Sequence, residues 1–273
     1  INRAWELAET GDTILLMTDE VGSWHILEET VQCSTYGVRM TSVHCTNIKD
    51  APSDCVNNGV VTVYNAADFT LFKINSGSIV FDKVFLQAYG DYTHPVIEIA
   101  NTGTVFSFTF INGGIDMSPT SGANLSIAGI YQGIASANWN CNISNNTFLT
   151  GSGCGPILDL RTGMHQGRIH GNTFQMYGTG STSAALVHLA GSYLTTIRDN
   201  FFQTMTDTGV AAIGVKGGLA NDNGRGISFI NNYFDSGITM PFDDFNAGKA
   251  CLVGNYKLGV GAGDGGTLIT AIT

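Results

Sequence analysis

Charged side chains are scarce in this chain, 12% of residues, so the places where they recur in one local setting are the first candidates for chemistry. Glu98 in VIEIANTG, Asp159 in ILDLRTG and His188 in LVHLAGS each interrupt a short apolar run that ends in small residues. LFKINSG around Lys73 has the same shape, and AGIYQG around Gly129 and IGVKGG around Gly214 approach it. The central positions 73, 98, 129, 159, 188 and 214 lie 25, 31, 30, 29 and 26 residues apart. Two carboxyls held at a fixed separation can divide acid–base work, one protonating a leaving oxygen while the other activates water. A cation such as Arg161 or Lys216 can hold a carboxylate while His188 removes the neighbouring proton, and Tyr131 can offer a ring face for stacking.

None of this follows unless the chain brings these positions together, and a second pattern supplies the means. The sequences ISNNTF, IHGNTF, IRDNFF and FINNYF place an apolar residue three before an Asn and a Phe two after it. The four Asn are Asn146, Asn172, Asn200 and Asn232, spaced by 26, 28 and 32 residues. Repeats of this length are the signature of stacked coils. The fold class expected is all-β: a single right-handed parallel β-helix of roughly 28-residue coils with a short N-terminal cap, every second side chain entering one continuous apolar column. Each Asn is expected at a bend, bonding backbone and its counterpart one coil away.

On that frame, equivalent positions of neighbouring coils stand about 4.8 Å apart and outward residues form columns. The first column reads Lys73, Glu98, Gly129, Asp159, His188, Gly214; two positions on, it reads Asn75, Ala100, Tyr131, Arg161, Ala190, Lys216. Glu98 and Asp159 then lie two coils, about 9 to 10 Å, apart between backbones. Inverting glycosidases hold their carboxyls roughly 6.5 to 9.5 Å apart. The expected catalytic residues are therefore Glu98, Asp159 and His188, with Arg161, Lys216 and Tyr131 binding substrate. An outward Asp on such a strand is more often a plain solvated residue, and a His beside it an ion pair.

Composition narrows the partners. A net charge of −10 with only 12 Lys and Arg in 273 residues argues against nucleic acid and anionic membrane surfaces. A neutral ligand, or one gripped locally by a few cations, fits better. The absence of an apolar run of about 18 residues speaks against membrane insertion, and Ile1 to Thr10 lacks the features of a signal peptide. Six Cys without a CxxC pair read as buried free thiols rather than metal ligands. No metal and no cofactor is expected; NDNGRG at 221–226 reads as a surface turn rather than a calcium loop.

The chain opens with a short amphipathic helical turn over residues 1–9, with Trp5 and Leu7 or Ala8 facing the first coil. Residues 1–30 are read as cap and first strand, 31–257 as the solenoid, and 258–273 as a Gly-rich turn with a terminal strand that caps the solenoid or pairs with another subunit, one domain overall. Residues 235–250 read as a long excursion, and Asn255 as a further rung of the Asn ladder.

The opening A-x-x-G-D-T-I at Ala8 to Ile14, followed by coils with I-x-x-N-x-F, resembles the right-handed parallel β-helix superfamily of pectate-lyase-like proteins, over roughly residues 9 to 257. Low charge and richness in Gly, Ser, Thr and Asn are most similar to its bacteriophage tailspike and polysaccharide depolymerase branch. That resemblance implies a homotrimer, on a virion tail or otherwise extracellular, that binds and hydrolyses a bacterial surface polysaccharide. It leaves two alternatives: a non-catalytic viral adhesin, and a secreted polysaccharide lyase. In tailspikes the site can also lie between subunits, which would bring in Asp235, Asp243 or Asp244.

Overall fold

The structure is a computed structural model, and it describes residues 1–16, 24–42, 61–65, 67–75, 77–88, 93–100, 107–117, 128–132, 138–151, 154–160, 164–177, 185–189, 194–204, 213–217, 226–243, 245, 250–259 and 266–272. Three long parallel sheets wind round one core as a right-handed parallel β-helix. The first sheet has nine strands: Thr13–Leu16, Arg39–Ser42, Ile79–Asp82, Phe108–Ile111, Asn142–Ser144, Arg168–His170, Thr196–Arg198, Ile227–Ile230 and Ala250–Val253. The second runs from Trp24–Leu27 to Asn255–Lys257, and the third from Val31–Cys33 to Met240–Asp243. Each of the first eight turns contributes one strand to each sheet, in that order, and the ninth contributes to the first two only.

Alternation in the strands decides what lies inside. Arg168–His170 is exposed, buried, half-buried, with Ile169 in the core, and Thr196–Arg198 is half-buried, buried, exposed, with Ile197 in the core. Phe148, Phe174, Phe202 and Phe234 enter from the second sheet and stack ring on ring, with centroids 5.1, 4.8 and 4.7 Å apart and planes within 17° of parallel. The spacing is that of the strands themselves, so backbone geometry fixes the stack. Burying each such side chain is worth about 1.5–3 kcal/mol, and no isolated coil could do it.

From the third coil onward, the corner between the first and second sheets is a tight two-residue bend. Its first residue has positive φ: Lys83, Asn112, Asn145, Gly171, Asp199, Asn231 and Gly254 in successive coils. From Asn146 onward its second residue is the buried Asn of the ladder, and Asn255 is its last rung. Each side chain bonds a backbone carbonyl and the next Asn. Asn146 Nδ2, for example, donates to Phe110 O at 2.8 Å and to Asn172 Oδ1 at 3.0 Å. The corners at Val84 and Gly113 precede the ladder, and the Gly113 N–H is capped by Asn146 Oδ1 at 3.0 Å.

Both ends of the column are covered. The helix Asn2–Leu7 buries Trp5 against Phe81, and of the two expected companions it is Ala8 that packs against the core, while Leu7 is 63% exposed. At the other end Thr267–Ile269 folds back antiparallel on Asn255–Lys257, the one antiparallel pairing among the described strands. Residues 240–243 are not the loop the sequence suggested: they form the last strand of the third sheet, with Phe242 in the core. Cys33, Cys141 and Cys154 are buried free thiols, but Cys251 is exposed, because it points outward from the first sheet. Cys45, Cys55, His44 and most of 221–226 lie outside the described residues.

Candidate functional site

The third sheet presents one outward file across eight coils. Strand pairing puts Gln32, Lys73, Glu98, Tyr131, Asp159, His188, Lys216 and Asp243 in register, each beside the next. The reason is local and repeats. Phe72 and Ile74 flank Lys73, Ile97 and Ile99 flank Glu98, and Val187 and Leu189 flank His188, all facing the core. The residue between them must point out.

The expected columns therefore merge. Tyr131 and Lys216 stand in the same file as Glu98, Asp159 and His188, not two positions along, and Gly129 and Gly214 are not in it. The slip arises because AGIYQG and IGVKGG look aligned when their small residues are matched. The inward pair around Tyr131 is Ile130 and Gln132, and that around Lys216 is Val215 and Gly217, so the apolar flank is only half present. Gln32 was missed, and Asp243, offered by the sequence only as an inter-subunit carboxylate, belongs to this file. VQC and PFD carry the same signal, an outward polar residue next to a buried Val31 or Phe242. Arg161 lies outside the described residues.

Three neighbouring pairs of basic and acidic side chains lie along the file. Lys73 Nζ is 3.2 Å from Glu98 Oε2, His188 Nδ1 is 4.0 Å from Asp159 Oδ1, and Lys216 Nζ is 3.5 Å from Asp243 Oδ2. Side-chain exposure falls from 27% at Glu98 to 4% at Asp159, then climbs through 19% at His188 to 34% at Lys216. Asp159 is thus the most enclosed charged residue of the file. Tyr131 occupies the rung between the two carboxyls, which places Glu98 and Asp159 about 9 to 10 Å apart between backbones. The aromatic side chain of Tyr131 stands between the two carboxyls along the file.

Other carboxylates serve the frame. Asp235 accepts from the Thr204 N–H at 2.6 Å and the Gly237 N–H at 2.9 Å, closing a turn. Burial pushes its pKa up, only partly opposed by those donors. Asp82 is buried, accepting from Arg39 and from Asn112 Nδ2. Asp244 and Asp264 lie outside the described residues. Among the described residues no three His, Cys, Asp or Glu cluster as metal ligands would.

No protein-family model matches the chain, and no curated protein sequence does. Among solved structures it is similar to the crystal structure of a pectin methylesterase mutant in complex with a hexasaccharide. The two share 11% sequence identity at a TM-score of 0.55, over 97% of this chain and 86% of that one. At that identity the likeness is one of fold, the right-handed parallel β-helix.

Proposed function

We propose that the chain is the body of a tailspike-type receptor-binding protein, a homotrimer that lays a bacterial surface polysaccharide along the outer face of the third sheet and hydrolyses it. The observation that carries this reading is the register Glu98–Tyr131–Asp159: two carboxyls on one file, separated by a single aromatic rung. The resemblance of the coil motifs to tailspike depolymerases and the sugar-bound complex of the structural neighbour support it.

In the mechanism, a sugar ring rests against Tyr131, with its glycosidic oxygen towards Asp159. The enclosed Asp159 protonates that oxygen as the bond to the anomeric carbon breaks. Glu98, the more exposed of the two, takes a proton from a water on the opposite face, and that water's oxygen forms the new bond with inversion. His188, beside Asp159, passes a proton from solvent back to its carboxyl. Lys216, and Arg161 two residues beyond Asp159, grip substituents of the neighbouring sugars.

A binding-only spike is the second reading, favoured by the 4% exposure of the Asp159 side chain and the ion pair that occupies Glu98. Incubation of the purified chain with a panel of capsular and O-antigen polysaccharides separates the readings. New reducing ends mark hydrolysis, absorbance of an unsaturated uronate marks elimination, and retention without fragments marks binding alone. Light scattering that returns a monomer would remove the trimer.

A further inference from the structure

A second feature lies on another face. The outer surface of the first sheet holds a cavity of about 300 Å³ lined by Arg168, His170, Thr196, Arg198 and Ile230. Ile169 and Ile197 turn into the core, so Arg168 and His170 on one strand, and Thr196 and Arg198 on the next, turn outward. Arg168 stands beside Thr196, His170 beside Arg198, and Arg198 beside Ile230. The residues in register on the flanking strands are Asn142 and Ser144 on one side, Ser228 and then Cys251 and Val253 on the other. None is acidic. The one carboxylate among the described neighbours is Asp199 at the corner, 3.8 Å from Arg198 Nε, with both groups half exposed.

In a chain of 22 Asp and Glu against 12 Lys and Arg, two arginines on adjacent rungs with no acid between them make a local reversal of sign. The His170 pKa is lowered by burial and by the Arg198 and Arg168 charges, against an opposing pull from Asp199. Asn142 Oδ1, one rung from Arg168, is buried and accepts no hydrogen bond. The pocket thus combines planar donors suited to a carboxylate, a hydroxyl and an imidazole suited to ring hydroxyls, and an apolar patch at Ile230 suited to a sugar's C–H face.

We infer that this pocket is a subsite for an acidic sugar residue, its carboxylate held by Arg168 and Arg198, its hydroxyls by Thr196 and His170, and its apolar face by Ile230. The inference rests on the glycan reading only in taking the ligand to be a saccharide. It places the subsite on the first sheet, apart from the file that carries Glu98 and Asp159.

The test follows the His170 imidazole by NMR across its titration in the full chain, the signal identified by its loss in His170→Gln. Spectra are taken with millimolar glucuronate, with inorganic sulfate, and with glucose, at one ionic strength set by chloride. Glucuronate is expected to raise the His170 midpoint by about 1 pH unit, as an added neighbouring negative charge does, and glucose to leave it in place. Arg168→Gln and Arg198→Gln, both outward-facing changes, are each expected to weaken glucuronate binding about tenfold or more. An unmoved midpoint with glucuronate overturns the inference. So does an equal shift with sulfate, which would leave a plain anion site. A chain that cleaves no glycan but shows the shift keeps this subsite, and one that cleaves glycans without the shift loses this subsite alone.

Discussion

Asn172 donates both its backbone N–H and its side-chain Nδ2 to Asn200 Oδ1, each at 3.0 Å. Asn200 Nδ2 in turn donates to Ile169 O at 2.9 Å and to Asn232 Oδ1 at 3.0 Å. One fully buried side chain therefore satisfies two donors of the coil before it, a carbonyl of that same coil and an acceptor of the coil after. Asn200→Ala strands the Asn172 N–H and the Ile169 carbonyl at once, and is expected to cost about 3 to 5 kcal/mol. Asn200→Asp should be at least as damaging at neutral pH, since a carboxylate has no proton for Ile169 O and turns a negative oxygen towards Asn232 Oδ1. Urea unfolding monitored by circular dichroism measures both. A loss below about 1 kcal/mol for Asn200→Ala would mean that the ladder follows from the fold rather than holding it.

The residue before each Asn sets a different constraint. Gly171 has φ +65°, and a Cβ placed there would lie 2.6 Å from Asn145 Oδ1. Gly171→Ala therefore combines left-handed backbone strain with a contact, an expected loss of about 1 to 3 kcal/mol. Asn145 occupies the same conformation, φ 57°, and Asn145→Gly should be close to neutral. In the Asn145→Gly background the contact is gone and only backbone strain remains, so the double-mutant cycle should show a coupling energy between the two sites. Strict additivity would show that strain alone accounts for Gly171.

These corners explain how far the sequence could be read. The Asn–x–Phe beat was visible because, from Lys83 onward, the bend between the first and second sheets keeps the same short form, so Asn146, Asn172, Asn200 and Asn232 each stand at the same place between an inward Ile or Phe and an inward Phe. The third-sheet strands are reached across longer connections of variable length. Their register was blurred by up to two residues, and Tyr131 and Lys216 slid out of the file that Glu98, Asp159 and His188 occupy. An inward Gln132 hid one flank of Tyr131 and Gly217 one flank of Lys216. The pocket at Arg168 and Arg198 went unread for another reason: Arg168 precedes and His170 follows the Ile169 that carries the repeat, so the Asn motif claimed them as background.

Buried thiols give an alkaline signature. Burial pushes the Cys141 thiol from 9.0 up to about 12, and raises Cys33 well above its ordinary value for the same reason. A group whose pKa is raised by folding contributes stability that is whole below its unfolded value and is lost as pH climbs through the folded one. For Cys141 the slope over the window from 9.0 to about 12 is roughly 1 kcal/mol per pH unit. Cys141→Ala should flatten part of the alkaline fall in urea midpoint, and Cys251→Ala, at an exposed thiol, should leave it unchanged. A fall that is the same in Cys141→Ala as in the wild type would show that the loss of stability arises elsewhere.

The third-sheet file makes the sharpest demand. If Glu98 and Asp159 share the work of acid and base across Tyr131, Glu98→Gln and Asp159→Asn should each lower the rate of reducing-end release about 100- to 10,000-fold, with retention on immobilised polysaccharide kept. Tyr131→Ala removes the surface between them without touching either carboxyl, and should raise KM more than it lowers kcat. Asp243→Asn is the control: it sits on the same file, but three rungs from Asp159 through His188 and Lys216, about 14 Å along the sheet, and should keep the wild-type kcat, any effect being confined to KM through its ion pair with Lys216. His188→Gln should fall between, because water can resupply a proton to Asp159, and its loss should be steeper on the alkaline side of the pH profile, where proton return is slowest. Circular dichroism melts of all five variants separate lost chemistry from lost fold. Wild-type rates in both Glu98→Gln and Asp159→Asn would remove the carboxyl pair from the mechanism and leave the file as a binding surface.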